Sequence, residues 1–196
     1  MKLSSVLASV AAAGSALAAP QGDYKPPPSQ PQNPQTFGIM SLHSASPIHF
    51  GQFSAANGNL YIYLANQNAT CDRPNVQWAT FYIKDGSMYL YSKDKPVQEI
   101  YVDRSGMGQG KTGYTTGTYI PAPRNSERKT WTIDQTGDLT FNGAGLLACP
   151  STTDNSWSIW VLSGVSPPAG LKGCLGMVAR TINITDPASC EYTKPW

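Results

Sequence analysis

Apolar residues fall along this chain in short runs, each cut by glycine, proline, asparagine or aspartate. Thr130–Leu162 shows the pattern most clearly. Trp131 and Ile133 share one face of an extended segment, Leu139 and Phe141 share one face of the next, and Gln135-Thr136-Gly137-Asp138 lies between them. Alternation with period two, broken by a glycine turn, predicts a β-hairpin. Leu146–Cys149 and Trp157–Leu162 predict two further strands. Phe37–Leu42, Leu60–Leu64, Ala79–Ile83, Met88–Tyr91, Glu99–Val102 and Cys174–Ile184 complete the main candidates, with turn clusters such as Ala56-Asn57-Gly58-Asn59 and Lys84-Asp85-Gly86 between them. Helical periodicity is nowhere sustained, so the predicted class is all-β.

The hairpin sentence occurs twice. Thr80-Phe81-Tyr82-Ile83, followed by the Gly86 turn and Met88, matches Thr130-Trp131-Thr132-Ile133, followed by the Gly137 turn and Leu139; Thr181-Ile182-Asn183-Ile184 is a fainter third copy. A repeat near 50 residues, with about four short strands per unit, predicts a β-trefoil-like single domain, a closed form with few open edges. A β-sandwich is the alternative architecture.

The chain opens on Lys2, the apolar Leu3–Leu17 and the small-x-small triplet Ala16-Leu17-Ala18. That is the pattern of a secretory signal peptide over residues 1–18, too short to span a bilayer. Residues 19–36 form a Pro/Gln-rich arm whose composition predicts disorder or polyproline II, since it cannot bury enough apolar surface to order itself. The all-β domain is expected over residues 37–196.

Charge adds little. Fourteen basic and twelve acidic residues give a net +2, and no basic cluster marks a nucleic-acid surface. The four cysteines, Cys71, Cys149, Cys174 and Cys190, follow a secretory signal and so predict two disulfides rather than a metal site; neither CxxC nor HxxxH spacing is present. Three pairings are open. Cys71–Cys149 with Cys174–Cys190 is favoured, because the second bridge closes a loop of about 15 residues, worth ~3 kcal/mol in the chain-entropy treatment. Asn68-Ala69-Thr70 and Asn183-Ile184-Thr185 are N-glycosylation sequons, with Asn68 the better placed of the two.

Three patterns invite a chemical reading. Ser105-Gly106-Met107-Gly108-Gln109-Gly110-Lys111-Thr112 resembles the end of a phosphate-binding loop, but the first glycine is a serine and the following residues read as strand and loop rather than helix, so no nucleotide is predicted. Glu99, Asp103, Glu127, Asp134 and Asp138 could supply a glycosidase pair only if two of them met at the required separation. No GxSxG elbow is present, and the cysteines are taken by disulfides, so neither an enzyme nor a cofactor is predicted. Trp78, Trp131, Trp157 and Trp160, with ten tyrosines, suit a carbohydrate platform, although Trp131 at least is expected in the core.

The run Gln98-Glu99-Ile100-Tyr101-Val102-Asp103-Arg104-Ser105-Gly106-Met107-Gly108-Gln109-Gly110-Lys111 closely resembles the PhiA-type cell wall proteins of filamentous fungi, as do Asn66-Gln67-Asn68-Ala69-Thr70-Cys71-Asp72-Arg73-Pro74, Asn125-Ser126-Glu127-Arg128 and Trp157-Ser158-Ile159-Trp160. The resemblance runs from Phe37 to Tyr192. It implies a secreted, non-enzymatic wall glycoprotein connected with phialides and conidia, and it supplies no catalytic residues. A wall polysaccharide (glucan, chitin or mannan) is the expected partner; the glycine-rich loop, with Tyr101, Asp103, Arg104, Gln109 and Tyr114, reads either as a contact to it or as a tight connection whose glycines only satisfy backbone geometry.

Overall fold

The computed structural model describes residues 35–117 and 123–194. The signal segment and nearly all of the Pro/Gln-rich arm lie outside the described residues, but Thr36, placed in the arm by composition, already belongs to the first strand. Fifteen strands are present: β1 (Thr36–Leu42), β2 (Phe53–Ala56), β3 (Asn59–Ile62), β4 (Thr70–Cys71), β5 (Phe81–Lys84), β6 (Ser87–Leu90), β7 (Gln98–Asp103), β8 (Lys111–Thr116), β9 (Ser126–Glu127), β10 (Trp131–Ile133), β11 (Leu139–Phe141), β12 (Leu146–Pro150), β13 (Trp157–Val161), β14 (Leu175–Asn183) and β15 (Cys190–Glu191). The described residues contain no α-helix, and a single 3-10 turn spans Pro168–Gly170.

Eight strands close on themselves in the order β12-β14-β1-β5-β6-β7-β8-β13, and β13 pairs back to β12. Every pairing round this barrel is antiparallel. β3 and then β2 extend the sheet from β13, and β9 lies along β7. Barrels of this size are filled by side chains rather than hollow. Inward positions alternate as period two requires: Phe37 and Ile39, Met88 and Leu90, Ile100 and Val102, Ile159 and Val161 are all at most 3% exposed.

The all-β class holds, but the threefold repeat does not organise it. The β5–β6 hairpin, which carries the first copy of the repeated motif, is part of the barrel wall. β10–β11, which carries the second, pairs as a separate two-stranded sheet, and the third copy merely ends the nine-residue β14. Local hairpin chemistry recurs without the strands being equivalent in space. That chemistry is clear at Asn57-Gly58 and Asp85-Gly86. In each, both residues have positive φ and the flanking pair, Ala56 with Asn59 or Lys84 with Ser87, closes a two-residue turn.

Both disulfides are present, but the pairing differs from the favoured one: Cys71 joins Cys190, and Cys149 joins Cys174. Register explains it. Cys71 of β4 lies directly opposite Cys190 of β15. Ala148 of β12 lies opposite Leu175 of β14, so continuing that register by one residue brings Cys149 to Cys174. Loop length, the sequence criterion, has no access to register.

The C-terminal segment is tied in by Gln98 and Tyr192, both buried. The Gln98 carboxamide donates to the Tyr192 carbonyl and accepts from its amide, and the Tyr192 hydroxyl accepts from the Thr80 amide. Burial pushes the Tyr192 phenol up to about 12, and burial raises Tyr114 as well. An unfolded chain releases a tyrosine proton near pH 10, which the folded chain keeps, so stability is complete below about pH 10 and declines as pH rises towards 12. Tyr192 alone should account for a loss on the order of 3 kcal/mol across that window. Urea melts at stepped alkaline pH test this: the midpoint should hold to about pH 10 and then fall, whereas a constant midpoint would contradict the buried phenols.

Candidate functional site

Most of Gln98–Gly117 is the β7–β8 hairpin, and only residues 104–110 form a loop. That loop is braced from within. The Asp103 carboxylate accepts from the Ser105 amide (2.9 Å) and the Asp103 carbonyl from the Gly110 amide (2.7 Å). Gln109 donates to the Gly106 carbonyl and accepts from the Ala169 amide (2.7 Å). Arg104 makes a two-pronged ion pair with Glu127, which holds the Glu127 carboxyl below its ordinary range, and the guanidinium lies 5.2 Å above the Phe141 ring. After Lys111 the chain enters β8 rather than a helix, so the loop lacks the helix terminus that a phosphate site of this type uses.

The two tyrosines expected to flank an exposed loop are covered. Tyr114 points into the barrel, 2% exposed, and its hydroxyl donates to the Thr193 carbonyl. Tyr101 is 9% exposed and lies over Gly113, directly across the hairpin; a Cβ on Gly113 would fall 2.6 Å from the Tyr101 hydroxyl. Asp103, Arg104 and Gln109 are occupied in bracing, so removing all three side chains would disturb the loop itself rather than isolate a contact. Met107, at the tip, is 90% exposed.

The carboxylates singled out in the sequence are answered individually. Arg128 pairs with Glu99 (2.9 Å) and Arg180 with Asp138. Asp134 accepts from the amides of Thr136 and Asp138 and, held mainly by the Thr136 hydroxyl, titrates below its ordinary value. The downward shifts at Glu127 and Asp134 are the reverse of what a general acid for glycoside cleavage needs. All four cysteines are in disulfides, and no cluster of three His, Cys, Asp or Glu among the described residues could hold a metal. No helix of the described residues is long and apolar enough to cross a membrane.

The tryptophans separate. Trp131 is 1% exposed and meets Phe141 edge-on at 4.9 Å, a core role as expected. Trp157 and Trp160 are half-buried on β13. Trp78 alone of the described tryptophans is open to solvent, at 43%. Its backbone is fixed from both sides: the buried Gln67 carboxamide donates to the carbonyls of Val76 and Trp78, and the Ala79 amide donates to Phe53. The residue borders a groove of about 210 Å³, lined also by Gly38 and Ile39 of β1, Gln52, Ile182 near the end of β14 and Ile184 just beyond it. Gly38 and Ile182 are cross-strand partners on the barrel exterior, where Gly38 leaves the groove its depth.

On the same exterior, a row that starts at Thr36, two residues before Gly38, crosses from β1 to β5, β6 and β7. Tyr82 pairs with Tyr89, and Tyr89 with Glu99. The two tyrosine rings stack at 5.0 Å and 18°, and Arg128 closes the row by binding both Glu99 and the Thr115 hydroxyl. A larger hollow of about 560 Å³ lies within the 66–77 loop around Arg73. It has no aromatic face and borders the Asn68 sequon. Asn68 and Asn183 are both exposed, Asn68 with positive φ in the β3–β4 connection and Asn183 at the end of β14.

No solved structure matches the chain. Among curated proteins, the cell wall protein phiA of Aspergillus fumigatus is 51% identical over 96% of this chain and 97% of its own length. The cell wall protein phiA of Emericella nidulans is 45% identical over 99% of this chain and 100% of its own, and that of Aspergillus niger 47% identical over 82% and 86%. The family described as PhiA-like secreted protein matches residues 37–193, from the first core residue of the barrel to the carbonyl that receives the Tyr114 hydroxyl, and the chain belongs to that family.

Proposed function

We propose that this protein is a non-enzymatic glycoprotein of the fungal cell wall that holds wall polysaccharide through the barrel face around Trp78. Its place in this reading is the wall of asexual structures, phialides and conidia, an assignment supported by its likeness to the phiA cell wall proteins. Asn68 and Asn183 carry N-linked glycan, and both are exposed as that requires.

The observation that carries the reading is Trp78: a large ring held open to solvent by a rigid backbone, beside a groove with one carboxamide at its rim. Carbohydrate sites combine apolar ring contact with a few polar groups that fix orientation. The loop residues Tyr101, Asp103, Arg104, Gln109 and Tyr114 position the hairpin in this reading, and the wall contact lies at the Trp78 face instead.

The test compares retention of the purified parent and of Trp78→Ala on isolated fungal walls. Loss of one stacking ring should weaken binding about tenfold, since aromatic contacts are worth roughly 0.5–1.5 kcal/mol beyond their area. The melting temperature should change little because the ring lies outside the core. Equal retention would overturn the reading, and release of reducing ends from the walls would show an enzyme instead.

A further inference from the structure

The Asn68 sequon stands at the edge of a hollow of about 430 Å³, within the range of about 300–1,000 Å³ that holds a small ligand. Three segments meet there: Asn57 of the β2–β3 turn, Asn68 and Thr70 at the entry to β4, and Glu191–Lys194 at and after β15. Two sides of this triangle are joined by the chain itself. Thr70 lies opposite Glu191 in the β4–β15 ladder, beside the Cys71–Cys190 bridge. Thr193 accepts from the Asn57 amide through its hydroxyl and from the Gly58 amide through its carbonyl. The third side is open: no hydrogen bond among the described residues joins Asn57 to Asn68.

Asn68 is placed to close it. Its backbone is fixed with φ +50°, and its amide donates to the Asn66 side chain at 2.8 Å. Its own carboxamide is exposed and has no partner among the described residues, whereas that of the preceding Gln67 is buried and donates to the Val76 carbonyl. The carboxamide nitrogen of a sequon asparagine is the atom that carries an N-linked glycan. A sugar tethered to one wall of a hollow is present there at high effective concentration, so contacts too weak to hold a free sugar suffice to seat it. The opposite walls supply such contacts. Asn57 is exposed and offers a carboxamide, and the Glu191–Lys194 pair (3.3 Å) offers both an acceptor and a donor.

We propose that the innermost N-acetylhexosamine of an Asn68-linked glycan seats in this hollow and ties the Asn57-Gly58 turn to the entry of β4, which makes the glycan a structural part of the C-terminal closure. This inference rests on the reading of Asn68 as glycosylated. Asn183 differs. It ends β14 opposite Phe37, and the amide of the next residue, Ile184, already donates to the Thr36 carbonyl, so a glycan there has no open side to close.

Mass spectrometry of the secreted protein first establishes occupancy at Asn68. Hydrogen exchange then compares the glycosylated parent, the same protein trimmed by an endoglycosidase to its innermost sugar, and Asn68→Gln. The amides of Asn57, Gly58 and Tyr192 should exchange about tenfold faster in Asn68→Gln, the effect of losing a hydrogen bond or two. The trimmed form should match the parent, and the amides of β7 should exchange alike in all three. Asn57→Gly keeps the positive φ and removes the carboxamide. It should speed the exchange of Tyr192 in the glycosylated protein and add nothing in Asn68→Gln. Asn183→Gln should leave all these rates as they are. If Asn68→Gln is not secreted folded, releasing the whole glycan from the folded parent with an amidase gives the same comparison. Equal exchange with and without the glycan, or a trimmed form that behaves like Asn68→Gln, would overturn the proposal and leave the glycosylation reading in place. An unmodified Asn68 would overturn both.

Discussion

Replacing Cys71 and Cys190 together by alanine should cost the domain about 5 kcal/mol, against about 3.5 kcal/mol for replacing Cys149 and Cys174 together. The bridges close segments of very different length, with sequence separations of 119 and 25, and the chain entropy removed from the unfolded state grows with the logarithm of that separation. The longer bridge also has more structure depending on it. It fixes β15 against β4, and the residue after β15, Tyr192, engages the Gln98 carboxamide and the Thr80 amide inside the domain. Against total stabilities of about 5–15 kcal/mol, losing about 5 leaves a marginal fold. Denaturant melts of the two double variants measure the difference. A larger loss from the Cys149–Cys174 pair would contradict the assignment of Cys71–Cys190 as the main staple.

Local chemistry was legible in the chain, and spatial closure was not. Asn57-Gly58 and Asp85-Gly86 announce two-residue turns because only such residues adopt paired positive φ cheaply, and both turns are present. Alternation put Leu139 and Phe141 on one face, and both are buried, as is Trp131, the residue expected in the core. The pairings that make the barrel, β1 with β14 and β8 with β13, join segments far apart in sequence and leave no local mark. The disulfide pairing failed for the same reason, since it follows from which cysteines face each other across a ladder. The bracing of the glycine-rich loop was not legible, because Gly106, Gly108 and Gly110 carry no mark of the hydrogen bonds that Asp103 and Gln109 make around them. Parity along β8 could have placed Tyr114 inside, since Thr112, Tyr114 and Thr116 share one face. Trp78 did carry a signal: it stands in Asn75-Val76-Gln77-Trp78, outside every apolar run. Its neighbours Gly38, Gln52 and Ile182 come from three separate segments, so the groove itself had no sequence signature.

Gly110→Ala should be among the most damaging single substitutions in the domain, costing more than about 3 kcal/mol, while Gly106→Ala, four residues earlier in the same loop, should stay within about 0.5 kcal/mol of the parent. Gly110 has φ +96°, a conformation in which a side chain costs roughly 1–2 kcal/mol before any contact is counted. A Cβ there would also lie 1.9 Å from the Val161 carbonyl oxygen, which is backbone and cannot swing aside. Both of Gly110's own polar groups are engaged, its amide with the Asp103 carbonyl and its carbonyl with the Val161 amide. Relief of the clash must therefore pull β13 from the end of β8, at the seam where Trp160 opposite Lys111 is the registered pair. Gly106, by contrast, has no atom within 4 Å of the position its Cβ would take, and a side chain there restricts the unfolded chain at no cost to the fold. Paired denaturant melts of the two variants decide the matter. Similar losses from both would contradict the backbone clash at Val161 as the reason for Gly110; a loss confined to Gly110 would mark that position as the geometry by which β7, β8 and β13 meet.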